Sequence, residues 1–128
     1  MKSREWILPE YPEDHQVYVT QFEVAGVLYR KESVERLLKF KAPYLRLMAE
    51  PKNPHDRNAI KVIGCAKGWF RTKTFHLGYI PADLAAKIVK KRILPLLFPR
   101  LRMIEVGNFF RVVMELTGPK GGKNDFVS

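Results

Sequence analysis

The chain carries a single cysteine, Cys65, so it cannot form an intrachain disulfide, and nothing in it calls for an oxidising compartment. Its three histidines, His15, His55 and His76, are scattered and, with one cysteine, give no zinc-finger spacing. Long apolar runs are also missing. The longest, Ile93–Pro99, holds two prolines and falls far short of the roughly 20 residues of a membrane span. The opening Met1–Trp6 lacks the apolar stretch of a signal peptide, so the expectation is a cytoplasmic protein with no membrane partner. Acid is scarce after residue 35. Residues 36–128 hold six Asp/Glu against nineteen Lys/Arg, whereas residues 1–35 hold seven against four.

What is present points to one folded domain with a basic body. The 128 residues are 46% hydrophobic and 12% aromatic, enough for a core and too apolar for disorder. The net charge of +10 attracts polyanions, of which nucleic acid is the usual one.

Residues 1–15, with Pro9, Pro12 and four acids, read as an extended acidic arm, and residues 16–118 as the folded body. Gln16–Tyr29 is rich in Val, Tyr, Phe and Thr, which predicts a strand bent at Gly26 or two short strands. Ser33 is placed to cap a short helix over Ser33–Phe40, which Pro43 ends. Tyr44–Ala49 alternates as a strand, with Leu45 and Leu47 opposite Arg46. A second strand is predicted over Ala59–Ile63, a loop over Gly64–Gly68, and one or two strands over Trp69–Ile80.

Pro81 suits the first turn of a second helix, Asp83 its positive start, and Lys87, Lys90, Lys91 and Arg92 its negative end, with Pro95 and Pro99 as stops. Leu101–Val106 and Phe109–Thr117 predict a hairpin around Gly107-Asn108. Residues 119–128 read as a flexible tail. The sum is a mainly β fold with two helices (α+β), as a small six-stranded, OB-like β-barrel.

Three segments carry more than fold. Ala25-Gly26-Val27-Leu28-Tyr29-Arg30 places an aromatic and a base just after a glycine. Pro51-Lys52-Asn53-Pro54-His55-Asp56-Arg57-Asn58-Ala59-Ile60-Lys61-Val62 is a proline-bracketed polar turn feeding a half-buried strand. Leu77-Gly78-Tyr79-Ile80-Pro81-Ala82-Asp83-Leu84-Ala85 leads from a strand into a helix. In this order they resemble the HIRAN domain, a small DNA-binding module of helicase-like repair proteins and of stand-alone bacterial and phage-type proteins. The resemblance covers roughly residues 17–117. The segment Lys31–Lys41 looks like extra sequence.

The resemblance implies an OB-like barrel that holds the 3′ end of single-stranded DNA. Carried over, Asp56 would accept a hydrogen bond from a terminal 3′-hydroxyl. His55 and Tyr29 would stack on bases or sugars, Tyr79 and Arg30 would add aromatic and basic contacts, and Phe110 would offer a further stacking surface, in competition with Phe109. A carboxylate beside phosphate is repelled, so Asp56 makes sense only where the strand ends in a hydroxyl. Leu28 and Ala82 stand where eukaryotic members carry or can carry a basic residue.

Each of these residues has a plainer reading. Asp56 and Asn58 close a turn, His55 is an exposed loop residue, Tyr29 and Tyr79 are rim aromatics, and Phe110 alternates with Val112, Met114 and Leu116 in a core.

The function expected is therefore a non-enzymatic single-stranded DNA-binding module in repair or replication-related processes. It would need no cofactor or metal and could act beside a separate helicase or nuclease. The alternative is a protein-interaction or regulatory subunit using the same surface. A metal-dependent hydrolase or nuclease is a third class, but Glu50, Asp56 and Asp83 lack the clustered spacing of a metal site.

Overall fold

The computed structural model describes residues 2–123 and residue 126. Among the described residues, seven strands and two α-helices follow one another: β1 (Lys2–Glu5), β2 (His15–Glu23), α1 (Lys31–Leu38), β3 (Tyr44–Ala49), β4 (Ile60–Lys67), β5 (Thr72–Tyr79), α2 (Ala82–Lys91), β6 (Phe98–Val106) and β7 (Arg111–Pro119). Short 3-10 turns precede α1 at Val27–Tyr29 and β6 at Leu94–Leu96. The fold class is as expected, mainly β with two helices. The closed six-stranded barrel is not. The strands form two antiparallel sheets, β1-β6-β7-β2 and β3-β4-β5.

The sheets meet at one backbone bridge, where Ala25 and Tyr79 exchange N–H···O bonds of 2.8 and 2.9 Å. Their inner faces share a core in which Leu37, Ile60, Leu77, Ile88, Ile104, Met114 and Leu116 are almost wholly buried. Each such side chain contributes roughly 1.5–3 kcal/mol by leaving water.

The amino-terminal arm opens as a strand. β1 pairs antiparallel with β6, Lys2 opposite Val106 and Glu5 opposite Met103. Arg4 Nη1 donates to the carbonyls of Leu38 and Phe40, both at 2.7 Å, and so satisfies groups that the end of α1 leaves unpaired. Farther along the arm, Arg100 Nη1 donates to the Pro9 carbonyl at 2.8 Å and its guanidinium lies over the Tyr11 ring. Of the segment expected as a free tail, Phe126 is buried, stacked on Tyr18 with centroids 5.3 Å apart. Residues 124, 125, 127 and 128 lie outside the described residues.

Several boundaries differ from the expectation. α1 begins two residues before Ser33, which is not its cap. The 3-10 turn runs straight into it, with Arg30 N–H donating to Val27 O and Val34 N–H to Arg30 O. Val34, Leu37 and Leu38 bury one face of this helix. β4 continues through Gly64–Lys67, the predicted loop. Gly64 pairs with Leu45 on one side and Phe75 on the other, and glycine suits the position because a Cβ there would collide with the Leu37 side chain. α2 stops before either proline, with Arg92 in the left-handed conformation at φ 55°. β3 occupies its predicted bounds, and Asp83, Lys90 and Lys91 sit at the predicted ends of α2.

Candidate nucleic-acid interface

The loop after β3 is organised by Asn53. Its side-chain Oδ1 accepts from the backbone N–H groups of His55 at 2.8 Å and Asp56 at 3.0 Å. The next turn is closed by Asp56, whose Oδ1 accepts from Asn58 N–H at 2.8 Å, while its carbonyl accepts from Ala59 N–H. Asp56 therefore does close its own turn. That bond occupies one of two carboxylate oxygens, and Oδ2 has no partner among the described residues. His55 projects into solvent.

Glu50, the last residue before this loop, ties it to the second sheet. Glu50 Oε1 accepts from Asn53 Nδ2 at 2.5 Å and from the Tyr79 hydroxyl at 3.0 Å, and Oε2 pairs with Lys61 Nζ at 2.9 Å. The strand register makes this inevitable, since Lys61 stands opposite Tyr79 and Glu50 follows Ala49, the partner of Ile60. A continuous chain thus runs from Tyr79 through Glu50 and Asn53 to the backbone of His55 and Asp56. Lys61, then Asn53 and Tyr79, hold the Glu50 carboxyl down to about 2 from its usual 4.5. Burial, helped by Glu50, raises the Tyr79 hydroxyl, which stays a donor.

Gly78 places the Tyr79 ring. It adopts φ 153°, and a Cβ there would strike the Ala25 carbonyl oxygen of the bridge between the sheets. Beside it lies a β-bulge. Val62 opposes Gly78 while Ile63 opposes His76, which leaves Leu77 as the extra residue. Residues three apart on a regular strand face opposite sides, but the bulge restores parity. His76 and Tyr79 consequently meet edge to face with centroids 5.0 Å apart. His76 Nε2 lies 3.0 Å from the Gly78 carbonyl, which can only accept, so that nitrogen carries the proton. Burial first, then the positive charges of Arg30 and Lys61, lowers the His76 pKa and keeps the ring neutral at pH 7.

Tyr29 ends the 3-10 turn with 90% of its surface exposed. Its neighbours face two ways. Arg30 acts on His76 and Tyr79, whereas Lys31 lies over the Phe110 ring at 5.3 Å. Phe110 is half-buried against the core, and Phe109 is 64% exposed. Lys31 and Phe110 line an open cleft of about 1010 Å³ with Lys2, Arg4 and Lys39. So His55, Asp56 and Tyr79 belong to one hydrogen-bonded unit, Arg30 borders it, and Phe110 belongs to the adjoining cleft across the Arg30-Lys31 step.

Sequence reasoning expected Asn53 to close the turn, as it does, but gave no part in the site to Glu50, Lys61 or His76. The glycine inside the β5 pattern was the available sign of a bulge, and a bulge would have put His76 beside Tyr79. Among the described residues, no three His, Cys, Asp or Glu side chains gather where a metal ion could be held. No helix among them is long and apolar enough to cross a membrane.

The chain resembles in fold the crystal structure of the HIRAN domain of human HLTF, with a TM-score of 0.52 and 18% identity over 91% of this chain and 89% of that one. No curated protein matches it. The family model described as the HIRAN domain matches residues 17–93, a span holding Tyr29, the loop after β3 and the Gly78-Tyr79 bulge. On that match, over more than half its length, the chain belongs to the HIRAN domain family.

Proposed function

We propose that this protein is a non-catalytic, single-stranded DNA-binding module that grips a 3′ end in DNA repair or replication, working beside a separately encoded helicase or nuclease. One observation carries the reading: the chain of bonds Tyr79–Glu50–Asn53 that fixes His55 and Asp56 on a body with nineteen Lys/Arg against six acids. In this reading Tyr29 and His55 stack on bases, and each aromatic contact is worth roughly 1–3 kcal/mol. Arg30 and Lys31 neutralise phosphates, which makes the affinity fall with salt. The unpartnered Asp56 Oδ2 accepts from the terminal hydroxyl and repels a terminal phosphate.

The test is a salt-dependent binding titration with single-stranded, double-stranded and 3′-phosphorylated oligonucleotides. The proposal expects preference for the single strand and loss on 3′-phosphorylation. Weak, equal binding to all three would sink it and favour a protein-interaction role. Magnesium-dependent cleavage would show that the module is catalytic after all.

A further inference from the structure

The β4–β5 hairpin carries two aromatic side chains at its tip, Trp69 and Phe70, with 89% and 92% of their surfaces exposed. They meet edge to face with centroids 6.3 Å apart, and Gly68 N–H closes the turn on the Arg71 carbonyl at 2.9 Å. Two bare rings of this size bury nothing in the fold and leave an apolar knob flanked by Lys67 and Arg71.

From that knob a groove of about 640 Å³ runs along β5. Its lining includes Arg36, Arg71, Lys73 and His76, with Ser33 and Thr74 hydroxyls, and no acid. Two of the three cations are left without an acid: Arg36 lies over the Phe75 ring and pairs with Glu32 at 4.0 Å, Lys73 lies over Phe40, and neither Arg71 nor Lys73 makes an ion pair among the described residues. At its far end the groove reaches His76, whose ring contacts Tyr79 of the candidate interface. The groove lining from Arg71 to His76 spans about 17 Å, the reach of a few unstacked nucleotides.

We propose that this groove is a second, contiguous subsite for the same DNA strand, which leaves the 3′-end site past His76, follows Arg36, Lys73 and Arg71, and stacks bases on Trp69 and Phe70. The inference rests on the single-strand reading above and extends it. Cations spaced along a concave wall suit successive phosphates, and rings at the outlet suit bases of any sequence.

The test compares oligonucleotides of about three and about twelve nucleotides, bounding the shorter end of the site sizes of such modules. The wild type should bind the longer strand more tightly. The W69A/F70A variant, altered only at exposed side chains, should keep its affinity for the short strand and lose about tenfold or more on the long one. R71A/K73A should lessen the salt dependence on the long strand only.

Loss on both lengths alike, or none on the long strand, overturns the subsite while leaving the end-binding reading intact. A lost length gain with no effect of 3′-phosphate keeps the subsite and removes the end-binding reading. No binding at any length removes both. Binding of phosphatidylserine-containing vesicles that W69A/F70A abolishes, with DNA binding unchanged, would reassign the knob to a membrane surface.

Discussion

The Tyr79 hydroxyl donates to Glu50 Oε1 across 3.0 Å, joining the end of β5 to the residue that launches the loop carrying His55 and Asp56. Glu50 is thereby spent as an acceptor for Tyr79, Asn53 and Lys61. Its contribution to the fold should be visible in acid. A carboxyl whose folded pKa is depressed stabilises the protein above its unfolded value, and that stabilisation fades as pH falls toward the folded value. Wild-type protein should melt above E50Q by a constant margin at pH 6–7, and the margin should shrink between about 4.5 and about 2. Melting curves by circular dichroism across that range check it. A margin indifferent to pH would mean the ion pair with Lys61 contributes nothing.

Asp56 closes its turn and, in the proposed reading, also meets the strand terminus, and the two tasks are separable. Its Oδ1 closes the turn on Asn58, which an amide oxygen can also do. D56N should therefore hold its melting temperature while reducing the penalty that a 3′-phosphate imposes on binding. D56A should lose both, with about 1 kcal/mol of stability going with the turn bond. Paired thermal melts and titrations distinguish the two tasks.

Tyr29 packs on little. Y29A should leave stability within about 0.5 kcal/mol of wild type, as at other exposed sites. Its single-strand affinity should fall by roughly 1–3 kcal/mol. An unchanged affinity would assign the ring no part in binding.

The buried Arg100–Glu115 pair should matter more to the fold than any exposed charge. Both side chains are over 90% buried, and Arg100 also holds the Pro9 carbonyl and the Tyr11 ring. Removing one partner strands the other charge in the interior, so E115A should cost about 3–5 kcal/mol. Chemical denaturation measures the loss. Limited proteolysis should then cut near Pro9 before the rest of the chain.

The sequence made some of this legible and hid the remainder for definable reasons. β3 and the ends of α2 followed from local alternation and charge, because nothing distant overrides them. β1 escaped notice because Lys2–Glu5 has no apolar alternation; it is a strand only because β6 offers an edge and Arg4 reaches the end of α1. Gly64 read as a loop because crowding from Leu37 cannot be seen in one dimension. In the interface, the proline-bracketed run announced His55 and Asp56, and the strand-to-helix junction announced Tyr79. Glu50 and Lys61 went unassigned because their meeting depends on cross-strand register, and His76 because three residues ordinarily reverse a strand's face.

The segment that matches the family ends at residue 93, yet β2, near its start, is hydrogen-bonded among the described strands to β7 alone, which begins at Arg111. A fragment trimmed to the matched span would leave β2 without its strand partner and uncover Tyr18 and Val24, inviting sticky, self-associating material. For anyone excising this module, the safe cut lies beyond the closing hairpin, whatever limits the family signature suggests.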